Sequence, residues 1–61
     1  MLGLKVMRIK RQMSQEDLAG LMGVNQTTVS LWEQGKSSPS LLKLKRLAEI
    51  LNCTVNDLIE E

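Results

Sequence analysis

The amino-acid sequence predicts an all-α fold of five short helices, and three observations carry that expectation. The first is the stretch Ser14 to Lys36, SQEDLAGLMGVNQTTVSLWEQGK, which reads as two short helices joined by a tight turn. Leu18, Ala19, Leu21 and Met22 give its first half an apolar face. Gly23 breaks that pattern, and Val24, Val29 and Trp32 repeat at helical spacing in a second half that stops at Gly35. This is a helix-turn-helix pattern, with glycine where the turn demands positive φ and Ala19 small enough for a close helix crossing. The second observation is compositional: 43% of the 61 residues are apolar, but Trp32 is the only aromatic. A core of Leu, Ile, Val, Met and Ala suits packed helices better than strands. The third is a repeated start signal, Ser14 with Asp17 and Thr54 with Asp57, each at capping-box spacing.

Helix 1 is expected from Leu2 to Gln12, a run of good helix formers without proline. Its apolar residues fall on two sides. Leu4 and Met7 share one, while Leu2, Val6, Ile9 and Met13 form a stripe on nearly the opposite one. Val6 and Ile9 either pack under the chain's own end or form a dimer or partner surface. Helix 2 follows the Ser14 cap and places Gln15 in its first turn, where free backbone N–H groups favour a phosphate. Helix 3 starts at Asn25, a favoured cap, and runs to about Gln34. With Val29, Trp32 and Glu33 inward, its outer side carries Gln26, Thr27, Ser30, Leu31 and Gln34. Trp32 at this spacing reads as a packing residue rather than a base-stacking one.

Gly35 closes that helix, and Lys36 to Ser40 is a polar loop, either a plain linker or a phosphate clamp. Helix 4 is expected from about Ser40 to Leu51, just after Pro39. Leu41, Leu44, Ala48 and Leu51 form one core row, with Leu47 and Ile50 beside it. Asn52-Cys53 is a turn, with Cys53 read as a small buried hydrophobe. Helix 5, Val55 to Glu60, completes the chain. Leu58 fits the core and, with Ile59, is a candidate dimer contact.

Sixty-one residues are expected to form a single domain, 1–61, close to the lower size limit for a core without disulfides or metal, so dimerisation would add stability. One cysteine and no histidine leave no Cys/His metal site and no internal disulfide, which suits a reducing cytoplasm. The sequence has no signal peptide and no apolar run near the roughly 18 residues of a membrane span. Neither a nucleophile with a base nor a metal cluster can be assembled from it, so no enzyme and no cofactor is expected. The net charge is only +1, but Lys5, Arg8, Lys10 and Arg11 gather in helix 1 and Lys43, Lys45 and Arg46 in helix 4. Asp57, Glu60 and Glu61 place acid at the C-terminal end, expected to lie away from a phosphate backbone.

Taken together, Ser14-Gln15-Glu16-Asp17-Leu18-Ala19, Gly23-Val24, Val29-Ser30, Trp32-Glu33, Gly35-Lys36 and Pro39-Ser40 resemble the lambda and 434 repressor and Cro type of DNA-binding domain, the XRE-like group. The resemblance covers almost the whole chain. It implies a lambda-repressor-like fold with the helix-turn-helix at helices 2 and 3, and helix 3, about Gln26 to Gln34, in a major groove. Gln26, Thr27, Ser30 and Leu31 then occupy base-reading positions. Gln can pair with adenine N6 and N7, and Thr and Leu can touch a thymine methyl, although Leu31 stands where Gln or Arg is more usual. Gln15, Thr28, Gln34, Lys36, Ser40 and Lys43 are the candidate phosphate contacts. The resemblance also implies that Arg8 shares the core side of helix 1 with Leu4 and Met7 and pairs with Glu33, tying helix 1 to helix 3.

The expectation that follows is a sequence-specific regulator of transcription, repression being the usual mode, acting as a homodimer on pseudo-palindromic double-stranded DNA with half-sites roughly 34 Å apart. It is either a stand-alone Cro-like or prophage-type regulator or the DNA-binding part of something longer. An antitoxin-like module, which binds a protein partner through the helix 1 stripe or the tail and DNA secondarily, is the alternative.

Overall fold

The computed structural model describes residues 1–60 and arranges them as α1 (Leu2–Lys10), α2 (Gln15–Met22), α3 (Gln26–Gln34), α4 (Leu41–Leu51) and α5 (Val55–Ile59), with no strand among the described residues. Glu61, the last of the expected acidic tail, lies outside them. The fold class is the one the sequence predicts.

Local signals set the helix boundaries. The Ser14 hydroxyl accepts from the Asp17 N–H at 2.9 Å while the Asp17 carboxylate accepts from the Ser14 N–H at 3.0 Å, and Thr54 and Asp57 do the same for α5. Asn25 holds the cap position of α3, although its side chain makes no cap bond. At the other ends one closure recurs. A residue with φ between 52° and 77° follows each of the first four helices, namely Gln12, Gly23, Gly35 and Asn52. The next N–H then reaches back five residues: Met13 to the Arg8 carbonyl, Val24 to Ala19, Lys36 to Leu31 and Cys53 to Ala48, at 2.9 to 3.1 Å. Gly and Asn announce this turn in the sequence; Gln12 does not. Helix α1 therefore ends at Lys10, two residues before its expected end. The left-handed turn also takes Met13 off the apolar stripe and packs it against the core.

Leu4, Leu18, Val29, Leu47, Leu51 and Leu58 are fully buried, and Ala19, Met22, Trp32 and Ala48 complete the core. Helix α1 packs on α3 and α5, α2 on α3 and α4, and α4 on α5. Several expectations are corrected by this packing. Leu58 has no exposed surface and cannot contact a partner, because α5 drives it between α1 and α4. Leu21 and Leu41 are exposed: α2 turns the Leu18–Met22 side inward and leaves Leu21 beyond it, and the first turn of α4 carries no core residue. Val6 and Ile9 are not covered by the chain's own end, because α5 lies along the Gly3 side of α1. Cys53 is half-buried; burial and then the Asp57 carboxylate push its thiol pKa up, which leaves it a protonated packing group. Helix α5 ends at Ile59, one residue short of its expected end.

Gly3, to which the sequence reading gave no role, controls the α1–α5 contact. Its N–H donates to the Glu60 carbonyl at 2.9 Å, and a Cβ here would stand 2.0 Å from the Asp57 carbonyl oxygen. The two backbones touch with no room for a side chain.

Candidate nucleic-acid interface

The candidate interface is built outward from the anchor of α3. Arg8 and Glu33 meet across the α1–α3 contact in a forked pair: Nε donates to Glu33 Oε2 at 2.6 Å and Nη2 to Oε1 at 3.2 Å. The third donor, Nη1, bonds the Met13 carbonyl at 2.8 Å, tying the turn after α1 into the same joint. The side chains are 10% and 4% exposed. Burial pushes the Glu33 carboxyl up, but the Arg8 and Gln15 hydrogen bonds and the Arg8 charge outweigh it, and the carboxyl sits below its ordinary value.

Gln15, in the first turn of α2, continues the network. Its Nε2 donates to Glu33 Oε1 at 3.0 Å, and its Oε1 accepts from Gln26 Nε2 at 3.5 Å, a long contact. The Gln15 amide is therefore oriented by a carboxylate it can only donate to, which leaves its oxygen pointing towards Gln26. Gln26 in turn keeps its Oε1 and its second amide hydrogen for a ligand, the donor and acceptor pair that an adenine edge matches. The Met1 amino group also reaches α3, donating to the Trp32 and Glu33 carbonyls at 3.0 and 3.2 Å.

Around this anchor the outer side of α3 is polar and uncharged. Gln26, Thr27 and Gln34 are exposed, while Thr28, Ser30 and Leu31 are half-buried. Gln34 Nε2 donates to Ser30 Oγ at 2.8 Å, so the Ser30 hydroxyl has its own hydrogen free to donate outward. Lys36, Ser40 and Lys43 are exposed beyond the C-terminal end of α3 and at the start of α4. Ser40 spends a lone pair as the α4 cap, accepting from the Lys43 N–H at 3.3 Å, and keeps its hydroxyl hydrogen. Pro39, read as part of a polar loop, is buried.

Two basic side chains counted with the helix 1 cluster are committed elsewhere. Arg8 is spent on Glu33. Arg11 donates to the Leu51 and Asn52 carbonyls at 2.8 and 3.1 Å, capping the C-terminal end of α4. Sequence reasoning missed that role, because its two partners lie forty residues away and are backbone atoms.

A helix-turn-helix family model matches residues 4–58. The HTH-type transcriptional activator BcrR of Enterococcus faecalis is 32% identical over 56 residues, covering 92% of this chain and 28% of that protein. An uncharacterized HTH-type transcriptional regulator of Archaeoglobus fulgidus is 36% identical over 55 residues, 90% of this chain and 78% of its own length. The cryptic phage CTXphi transcriptional repressor RstR of Vibrio cholerae is 29% identical over 55 residues, 90% of this chain and 50% of its own. The chain thus spans less than a third of the activator and half of the phage repressor. With the helix order, the αL turn at Gly23 and a family match running from α1 into α5, this chain belongs to the XRE-like helix-turn-helix family of DNA-binding domains.

Proposed function

We propose that the chain is a single, non-catalytic cytoplasmic domain that regulates transcription by binding a pseudo-palindromic operator as a homodimer, with α3 in the major groove of each half-site. The observation that carries this is the uncharged donor and acceptor row Gln26, Thr27 and Ser30, held from behind by a forked Arg8–Glu33 pair and by Gln15. A row without charge neither repels phosphates nor binds them indiscriminately, so discrimination falls to base edges. Gln26, Thr27, Ser30 and Leu31 read bases, Leu31 through a thymine methyl. Gln15, Thr28, Gln34, Lys36, Ser40 and Lys43 hold the backbone. One such domain reads few base pairs, so two copies are required for useful specificity. Occupying a promoter then represses by excluding polymerase.

Selection from a random duplex library at near-physiological salt tests this. The expected outcome is an enriched two-fold symmetric site whose half-site positions respond individually to substitutions at Gln26, Thr27 and Leu31. Enrichment of nothing, with only weak and steeply salt-dependent binding left, would overturn it.

A further inference from the structure

Three apolar side chains of α1 remain half exposed, Leu2 at 52%, Val6 at 47% and Ile9 at 55%, as does Ile59 at 49% at the end of α5. At about 100° per residue the three α1 residues form a stripe opposite the side that enters the core through Leu4 and Met7. Arg8 fixes one flank of the helix towards α3 through Glu33, and Gly3 fixes the other flank towards α5. The stripe therefore lies between the two flanks and faces solvent.

We infer that this stripe is the interface for a second copy of the chain, packed α1 against α1 in antiparallel fashion about a two-fold axis near Val6. This rests on the homodimer reading above and assigns it a surface. Charge selects the occupant and the orientation. The Gly3 N–H to Glu60 carbonyl bond places Glu60 at the N-terminal end of α1, on its α5 flank. Lys10 lies on that same flank at the opposite end, about 10 Å further along the helix, where its charge reaches Asp57. A two-fold axis perpendicular to α1 reverses the helix while keeping its flanks on the same edges. Lys10 of one copy then meets Glu60 of the other, and the pairing occurs twice. Parallel packing about an axis along α1 would instead swap the flanks, leaving Lys10 of one copy and Glu60 of the other at opposite ends and on opposite edges, with no such pair.

The same axis leaves both α3 helices on one edge of the dimer, as a two-half-site operator demands. Lys5, on the α3 flank, faces its own copy near the axis, and a strip one helix wide is smaller than the roughly 1,600 Å² of a standard interface. The free dimer is accordingly weak.

Sedimentation equilibrium of the full chain up to roughly 1 mM tests the surface directly. The wild type should dimerise, and Val6→Glu should weaken association more than about tenfold with an unchanged thermal midpoint, since Val6 supports no core contact. Lys10→Glu and Glu60→Lys should each weaken it about threefold or more, and the two changes combined in one chain should restore it. Two results would overturn the inference: a wild type that stays monomeric, or a dimer indifferent to Val6→Glu. Neither touches the homodimer reading on DNA, which fails separately if the selected site shows no two-fold symmetry.

Discussion

At the scale of single residues, Arg8 and Glu33 show how a surface-type pair becomes a structural joint. Both lie near full burial, the guanidinium satisfies three acceptors, and the carboxylate takes a further bond from Gln15. Removing the arginine strands a carboxylate out of water and frees the turn at Met13. Arg8→Ala is expected to cost about 2 to 3 kcal/mol in urea unfolding at pH 7, well above the roughly 0.5 kcal/mol of an ordinary surface change. Arg8→Lys should recover only part of it, because an ammonium cannot fork. The sign with pH follows from the depressed Glu33 value. A carboxyl whose pKa is lower folded than unfolded contributes stability above its ordinary value of 4.5 and loses it as the pH falls through the folded value. Asp17 and Asp57 shift the same way, chiefly through the backbone N–H groups of the helix starts they cap. The urea midpoint should hold from pH 7 down to about pH 5 and then fall, and Glu33→Gln should flatten part of that acid limb.

At the scale of elements, start and stop chemistry was largely legible in the sequence. Capping boxes opened α2 and α5, Gly23 and Gly35 closed α2 and α3, and all four lie where pattern placed them. The end of α1 was not legible, because Gln is a good helix former and nothing local marks its left-handed turn. That turn is held from a distance by Arg8 on the Met13 carbonyl and by Arg11 on α4. The α1–α5 docking was equally hidden. Gly3 looks like a weak point in a helix, and only the approach of the Asp57 and Leu58 carbonyls gives it a purpose. Gly3→Ala, which by propensity alone should stabilise α1 slightly, is therefore expected to destabilise the protein by about 2 to 3 kcal/mol in thermal or urea unfolding. A neutral or stabilising result would mean that α1 and α5 can part cheaply.

At the scale of the whole molecule, a net charge of +1 is compatible with DNA binding because many of the charges are spent or segregated. Arg8 and Arg11 bind the protein itself, Glu60 stands at the α1–α5 edge, and Lys36 and Lys43 remain exposed just past the end of α3 and in the first turn of α4. With only Lys36 and Lys43 cationic among the proposed phosphate contacts, the salt slope for specific binding is expected to be shallow. Lys36→Ala should weaken binding about equally on all sequences and reduce the slope of log K against log salt by about one, whereas Gln26→Ala should change site preference with the slope intact. Titrations of the selected duplex at several salt concentrations measure both.

The sequence by itself determined the all-α class, the positions of the helix-turn-helix and its turns, and which side of α3 faces out. Each of these depends on residue type and spacing within a dozen neighbours, and backbone sterics, capping and 3.6-residue periodicity act at that range. Tertiary structure alone decided that Leu21 and Leu41 stay exposed, that Leu58 is sealed in, that Gly3 must lack a side chain and that Arg11 closes a helix forty residues away. Those outcomes depend on which helix lies over which. An apolar residue is buried only if a neighbouring element covers it, and a carbonyl forty residues distant becomes a partner only once the core has brought it within reach.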